Sequence, residues 1–185
     1  MAMLFPLFLR LEGKRVLVVG GGSVAERKAL DLADAGAHVT VVAPEVTDAL
    51  ASDGRIAVER RKFEESDVDG AWLVVAATDD PITQARACEA ADTAHLFSVA
   101  VDDPPHGSAI SASVIRRGSF TVAISSSGEA PALARLLREV LEQALPEDDW
   151  LDAAKGLRER WKREGTPMTS RFAELVRAFK DRANG

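Results

Sequence analysis

Three consecutive glycines, Gly20 to Gly22, constrain the fold of this chain more than any other feature. An apolar, β-branched segment enters them at residues 16–19, and a helix-forming segment leaves them at Ser23. Gly20, Gly22 and Ala25 have the spacing G-x-G-x-x-G/A, in which the first glycine allows a sharp turn and the second allows close approach of a pyrophosphate. The amides at the helix start then attract an anion. The sequence therefore predicts a dinucleotide site formed by Gly20, Gly21, Gly22, Ser23, Val24 and Ala25; the alternative is a tight strand-to-helix turn without a ligand.

Short apolar runs alternate with helical patterns through the first hundred residues, which is typical of a parallel sheet. We expect strands at 14–19, 38–42, 56–60, 72–77 and 96–101, and helices at 23–35, 46–52 and 82–91. The apolar residues 5–9 are expected to pack on the sheet edge. The predicted fold class is α/β, with a Rossmann-type doubly wound parallel sheet.

The pattern changes after Ser108. Two strand-like segments, 110–116 and 120–124, have no helix between them, which indicates a hairpin. Amphipathic helices are expected at 132–145, 148–164 and 169–182. The sequence therefore predicts a Rossmann domain over 1–113, a small α+β region over 114–146 and a helical C-terminal domain over 147–185.

Composition excludes several classes of protein. The formal net charge is −6 at pH 7, which opposes attraction to phosphates and argues against a nucleic-acid partner. The apolar start is short and interrupted by Pro6, so we expect neither a signal peptide nor a membrane span. The single cysteine, Cys88, is expected to be a buried small hydrophobic residue in a cytoplasmic protein. Because tyrosine is absent, the Tyr–Lys proton relay of short-chain dehydrogenases is excluded.

The carboxyl ends of the other predicted strands carry further cofactor candidates. In a doubly wound sheet these ends border the ligand crevice, so Thr78, Asp79 and Val101 are expected to face the cofactor. Asp79 and Asp80 could instead cap the following helix. The second strand lacks the acid that usually binds the ribose, and Glu45 is a possible substitute.

Asp102, at the end of the fifth predicted strand, is the candidate catalytic base. Partial desolvation there would raise its pKa and make it a better base. The alternative is that Asp102 only opens the turn before Pro104. His106, together with Asp102 and Asp103, could supply ligands to a divalent metal, but a lone histidine in a proline-rich loop is more often simply exposed. No firm metal site is predicted.

A serine-rich loop at residues 125–128 is a second candidate anion site, because hydroxyl and N–H groups at a helix start suit carboxylates. An ordinary helix cap would explain one serine. Nearby arginines would give a local basic surface for a polyanionic substrate. The substrate-binding candidates are Ser125, Ser126, Ser127, Gly128, Arg116 and Arg135, with Arg117 and Arg138 close to them in sequence.

These segments together resemble the precorrin-2 dehydrogenase and sirohydrochlorin ferrochelatase family, which forms the N-terminal module of siroheme synthases. The matching segments are residues 5–8, 18–22, 24–28, 35–37, 39–44, 76–80, 101–104, 122–128, 130–131 and 133–139.

The resemblance implies a homodimer that oxidises precorrin-2 to sirohydrochlorin with NAD⁺, and in which residues 114–146 form the dimerisation region. Pro44 and Glu45 match the family's ribose-side segment, and Ser23 and Val24 its pyrophosphate-side segment. Asp102 matches the family's catalytic aspartate. Two alternatives stay open: a bifunctional enzyme that also inserts Fe²⁺, and a non-catalytic NAD-binding redox sensor.

Overall fold

The chain divides into two compact units, Met1–Ser111 and Ala112–Gly185. A computed structural model describes residues 4–103, 106–118, 120–145 and 148–183. The first unit contains strands β1 (Arg15–Val19), β2 (His38–Val42), β3 (Ile56–Glu59), β4 (Leu73–Ala76) and β5 (Phe97–Ala100), and helices α1 (Ser23–Asp34), α2 (Asp48–Ser52) and α3 (Pro81–Thr93). The second contains β6 (Ser113–Arg117), β7 (Phe120–Ile124), α4 (Pro131–Ala144), α5 (Asp148–Glu164) and α6 (Met168–Ala183).

The five strands of the first unit form one parallel sheet in the order β3-β2-β1-β4-β5. The chain runs outward from β1 to β3 and then returns to β4 on the other side of β1. The strand order therefore reverses between β1 and β4, and in such sheets ligands bind at the carboxyl ends beside that switch point.

Each face of the sheet is covered by helices whose contact residues are small. Val16 and Val18 face one side, where Ala25 and Ala29 of α1 pack. Leu17 and Val19 face the other, where α3 packs through Ala87, Cys88 and Ala91. Because β1 is buried on both faces, its sequence is a continuous apolar run. The predicted α/β doubly wound fold is confirmed, and Cys88 is buried as expected, which raises the pKa of its thiol.

The apolar start of the chain does not pack on the sheet edge, so that expectation was wrong. Phe5 is 85% exposed, and Leu7 and Phe8 are also exposed. The chain enters the core only at Leu11. Apolar character alone does not show which surface of the fold a segment contacts.

Several strand ends differ from the prediction by one residue, and the start of β6 differs by three. Trp72 lies outside β4 and is exposed, with the Lys14 ammonium 3.9 Å from its ring centroid. β6 begins at Ser113 rather than at residue 110, because the preceding segment lies along β5. There the Ala109 N–H donates to the Ser98 carbonyl at 2.8 Å, and the Ser98 N–H donates to the Ser108 hydroxyl at 2.9 Å.

In the second unit, β6 and β7 form an antiparallel hairpin, and α4 packs against it. Arg117 in β6 donates to the Glu142 and Leu145 carbonyls, which caps the C-terminal end of α4. Helices α5 and α6 pair through Trp161, whose indole N–H donates to Glu174 at 2.7 Å. No helix in the described parts of either unit is long and apolar enough to cross a membrane.

The buried Asp67 is expected to make the first unit sensitive to acid. Its side chain is 8% exposed and accepts hydrogen bonds from Arg61 and from the Glu64 N–H, both at 2.8 Å. The bond from Arg61 is the main cause that holds the pKa of Asp67 below its usual range. The folded protein therefore binds fewer protons than the unfolded chain near the ordinary carboxyl pKa of about 3.9. The free energy of unfolding should thus fall as the pH drops through this range.

Asp67→Asn is expected to lower the free energy of unfolding at neutral pH by about 1–3 kcal/mol, because the charge-assisted bonds are lost. It should also flatten the acid limb of the stability profile. Urea unfolding measured between acidic and neutral pH checks both effects. Asp69→Asn is the matched control, since Asp69 is exposed and its contact to Arg15 is made by its backbone carbonyl. An unchanged acid limb in Asp67→Asn would contradict the assignment.

Candidate cofactor site

The glycine run forms the turn from β1 into α1, and two of its glycines are required by close backbone contacts. Gly20 has φ +122°, and a Cβ atom there would lie 2.2 Å from the Ala77 carbonyl oxygen. A Cβ atom on Gly21 would lie 2.0 Å from the Glu45 carbonyl oxygen. The turn thus lies in close backbone contact with the segment after β4 on one side and the segment after β2 on the other. The Gly20 N–H donates to Val42 and the Thr47 N–H donates to Gly21, which fixes it there.

Gly22 differs from its two neighbours because a Cβ atom added to it would contact nothing within 4 Å. Its backbone is extended, and it stands at the N-cap of α1, where no side chain caps the helix. The packing of the chain therefore does not explain this glycine. An open glycine beside uncapped helical amides fits a pyrophosphate, which needs close backbone approach and free N–H donors. The residues of the turn fit a dinucleotide on this observation.

The end of β2 supplies the adjoining segment. Ala43 is buried, and Pro44 and Glu45 are both exposed. The Glu45 backbone contacts the glycine turn, as the Gly21 geometry shows. Glu45 is thus beside the turn, where the sequence predicted a ribose contact, and its side chain is open to solvent.

The end of β4 brings Thr78 to the same edge of the sheet. Thr78 is half-buried and its hydroxyl accepts from the Asp80 N–H at 3.2 Å. Asp80 caps α3, since its carboxylate accepts from the Thr83 hydroxyl and from the Ile82 N–H, the latter at 3.1 Å. The bond from Thr83 is the main cause that lowers the pKa of Asp80. The capping alternative therefore holds for Asp80. Asp79 is exposed and makes no hydrogen bond within the described ranges.

Asp102 follows β5 on the same edge, in a turn that begins at Val101. Its φ is +60°, a left-handed conformation that aspartate tolerates better than most residues. The side chain is exposed, so the desolvation expected from the sequence is absent in the single chain. Burial chiefly lowers the pKa of Lys28 on α1, helped by Arg27, and the charges of Asp31 and Asp102 oppose that change. Asp102 is therefore a solvent-accessible carboxylate whose charge interacts with that of Lys28.

His106 pairs with Asp103 rather than with a metal-ligand cluster. Its Nδ1 lies 2.7 Å from an Asp103 carboxylate oxygen, and the two side chains are 61% and 41% exposed, respectively. No group of three or more candidate ligands meets anywhere in residues 4–103, 106–118, 120–145 and 148–183. The neighbouring Pro104 lies outside the described residues.

The serine-rich loop of the second unit is a compact turn before α4. The Ser125 hydroxyl accepts from the Ser127 N–H, and the Ser126 hydroxyl accepts from the Ala130 N–H, both at 3.1 Å. Ser127 and Gly128 have positive φ values of 55° and 83°. The Ser125 and Ser126 hydroxyls thus stabilise the turn itself, and each can still donate a hydrogen bond to a ligand.

The arginines near this loop are mostly paired. Arg135 donates to Glu139 at 2.9 Å and Arg138 to Glu142 at 2.7 Å, both along α4. Arg117 donates hydrogen bonds to backbone carbonyls at the end of α4. Arg116 is exposed and makes no hydrogen bond or ion pair with any described residue. The local basic surface predicted from the sequence is therefore largely balanced by glutamates.

Gln84 is a residue that the sequence analysis did not identify. It lies on α3 and is only 7% exposed, and its Nε2 donates to the Val101 carbonyl at 3.1 Å. A glutamine in a helix carries no pattern that predicts a contact with a turn 17 residues later, so no local signal could have found it.

A parallel sheet with a switch point beside an open glycine turn defines a dinucleotide-binding protein of the Rossmann type. The family described as putative NAD(P)-binding matches residues 7–113, and the chain belongs to this family. The predicted nucleotide cofactor is thereby confirmed as NAD(P). A second family, described as sirohaem biosynthesis protein central, matches residues 117–144.

Siroheme synthases are among the relatives that this chain is similar to, which confirms the resemblance seen in the sequence. Siroheme synthase 3 of Aeromonas hydrophila is 48% identical over 171 residues, covering 90% of this chain and 36% of the relative. The siroheme synthase of Escherichia coli O157:H7 is 48% identical over 145 residues, covering 76% of this chain and 32% of the relative. The chain thus spans about a third of the length of these relatives.

A solved structure of SirC, described as a precorrin-2 dehydrogenase, has the same fold. It superposes with a TM-score of 0.74 at 24% identity, covering 94% of this chain and 88% of that chain.

Proposed function

We propose that this chain catalyses the NAD⁺-dependent dehydrogenation of precorrin-2 to sirohydrochlorin, a step in siroheme biosynthesis. The observation that carries the proposal is the open Gly22 at the uncapped start of α1, in a chain that is 48% identical to siroheme synthases over 90% of its length. The glycine turn supports the proposed cofactor, and the similarity to siroheme synthases supports a tetrapyrrole substrate.

The cofactor would be held by the turn at residues 20–25, by Pro44 and Glu45 after β2, and by Thr78, Asp79 and Val101 after β4 and β5. Bound NAD⁺ supplies the hydride acceptor. The exposed Glu45 carboxylate and the lack of a basic residue directly after β2 favour NAD⁺ over NADP⁺, since a 2′-phosphate is usually bound by a nearby arginine.

Asp102 would act as the base that assists removal of a proton from precorrin-2 as a hydride leaves. Its carboxylate is accessible from solvent and lies on the cofactor edge of the sheet. The charge of Lys28 on α1 interacts with that of Asp102.

The carboxylates of precorrin-2 would bind at the serine-rich loop, Ser125 to Gly128, together with Arg116 and Arg135. The Ser125 and Ser126 hydroxyls keep a proton to donate after accepting from the backbone. Arg116 is exposed, whereas Arg135 would have to share its guanidinium with Glu139.

The direct test is anaerobic absorbance spectroscopy of the purified chain with precorrin-2 and NAD⁺. Formation of NADH together with the sirohydrochlorin spectrum is expected. Binding of NAD⁺ without NADH formation would overturn the proposal and favour the redox-sensor alternative. Adding Fe²⁺ to sirohydrochlorin without NAD⁺ tests the bifunctional alternative, which an unchanged uncatalysed rate would refute.

A homodimer formed by α4 belongs to the same proposal. Leu133, Leu136, Leu137, Val140 and Leu141 share one face of this amphipathic helix, and all five are exposed in the single chain. An apolar helix face of this extent usually marks a protein interface. The division into three regions, 1–113, 114–146 and 147–185, and a cytoplasmic location complete the proposal.

Leu136→Glu is expected to dissociate this dimer, because the 54%-exposed Leu136 belongs to the apolar face and a buried unpaired carboxylate is costly. Sedimentation equilibrium should show at least a tenfold weaker association. Glu142→Gln is the matched control, because Glu142 projects from the opposite side of α4, where it binds Arg138. A Leu136→Glu variant as dimeric as the wild type would refute the interface.

A further inference from the structure

We propose that Gln84 is a positioning residue for Asp102: its side chain fixes the turn that carries the catalytic carboxylate. This inference rests on the proposed function, since it requires Asp102 to act as the base. It concerns a side chain on α3 that contacts neither the glycine turn nor the serine-rich loop among the described hydrogen bonds.

Val101, the residue before Asp102, is held on both sides of its backbone. Its N–H donates to the Ala76 carbonyl at 2.9 Å, at the end of β4. Its carbonyl accepts from Gln84 Nε2 at 3.1 Å, from α3. A residue tied to both the sheet and a helix has little freedom, so the backbone that enters Asp102 is fixed in direction.

The backbone of Asp102 itself needs such support. Its φ of +60° places a non-glycine residue in the left-handed region. Conformations of this kind persist only where the surroundings hold them, and they concentrate at functional sites. The Gln84 bond is the contact that holds the peptide immediately before this residue.

The carbonyl oxygen of the Gln84 amide argues against the view that glutamine stabilises the fold at this position. Gln84 Oε1 is buried and has no hydrogen-bond partner among the described residues. Rotating the amide would bring an oxygen against the Val101 carbonyl, so the observed orientation is the favourable one. A buried acceptor without a donor destabilises a fold. An apolar side chain of the same shape would avoid that cost, which indicates that the bond to Val101 serves positioning.

The decisive variant is Gln84→Met, which keeps the length of the side chain and removes both the donor and the unpartnered acceptor. We expect kcat for precorrin-2 dehydrogenation to fall about tenfold and the melting temperature to stay equal or rise. The KM for NAD⁺ should stay within twofold, because the bond from the Val101 N–H to the Ala76 carbonyl still holds Val101 at the end of the sheet. Glu89→Met is the matched control, because it adds the same side chain at an exposed position on the same helix.

Two outcomes would overturn the inference. One is a kcat within twofold of the wild type. The other is a fall in kcat accompanied by a lower melting temperature and a higher KM for NAD⁺, which would indicate a purely structural role. A wild-type chain that binds NAD⁺ but forms no NADH is a different failure: it overturns the proposed function, and with it the base that Gln84 would position.

Gln84→Glu gives a second readout that packing alone would not produce. A carboxylate cannot donate to the Val101 carbonyl, whereas a protonated carboxyl group can. The ratio of the variant's kcat to that of the wild type should therefore rise at least threefold as the pH falls from 8 to 6, because burial favours the protonated form. A ratio that does not change with pH would count against the inference.

Discussion

Replacing Asp102 with asparagine is expected to lower kcat for precorrin-2 dehydrogenation by about 10²–10⁴-fold, the range that general base catalysis contributes. Asparagine has nearly the same shape as aspartate and tolerates the left-handed backbone at this position, whose φ is +60°. It cannot act as a base at neutral pH, so the base is removed with little change in shape. Because Asp102 is exposed and makes no hydrogen bond within the described residues, the fold should not change. Single-turnover formation of NADH under anaerobic conditions measures the loss.

The control for this prediction is Asp31→Asn. Asp31 is also exposed, and its carboxylate acts on the half-buried Lys28 in the same sense as Asp102. If the effect came only from the charge near Lys28, both variants would lose activity to a similar extent. Equal losses, or an Asp102→Asn variant within a few-fold of the wild type, would refute the assignment of Asp102 as the base. Affinity for NAD⁺ should stay the same in both variants.

The parallel sheet could be predicted because the sequence patterns that specify its strands and turns each lie within a few consecutive residues. A strand buried on both faces, such as Val16–Val19, needs a continuous apolar run, and a tight turn into a helix needs glycine. The turn at Gly20 carries both signals within a few residues. For the same reason the predicted bounds of β2 agree with the structure, and those of α1 differ by one residue.

The features that could not be predicted depend on contacts between distant residues. The start of β6 was placed too early because the segment before it bonds to Ser98 on β5, and hydrophobic alternation does not distinguish such a segment from a strand. Phe5 is apolar, as core residues usually are, but it packs on no described surface of the sheet and stays exposed. The bond from Gln84 to Val101 likewise joins two elements whose sequences contain no matching pattern.

The three glycines of the turn look alike in the sequence, but their substitution is expected to have opposite consequences. Gly22→Val should weaken NAD⁺ binding at least 100-fold and change the free energy of unfolding by no more than about 1 kcal/mol. The reason is that the added side chain meets open space in the chain itself and would occupy the space where the pyrophosphate approaches the helix amides. Each lost charge-assisted bond contributes about 1.5–3 kcal/mol, and two such bonds account for this loss. Isothermal titration with NAD⁺ and urea unfolding measure the two quantities.

Gly20→Ala is the contrasting variant, and Gly54→Val is the matched control. The Cβ atom of an alanine at position 20 would lie 2.2 Å from the Ala77 carbonyl oxygen, at a φ of +122° that L-residues rarely adopt. The free energy of unfolding should therefore fall by roughly 2–6 kcal/mol. Gly54 also has open space around its Cβ position but is remote in sequence from the turn, so Gly54→Val should preserve both stability and binding. If Gly22→Val bound NAD⁺ as tightly as the wild type, the glycine turn would not be the pyrophosphate site, because nothing in the packing of the chain requires glycine at that position.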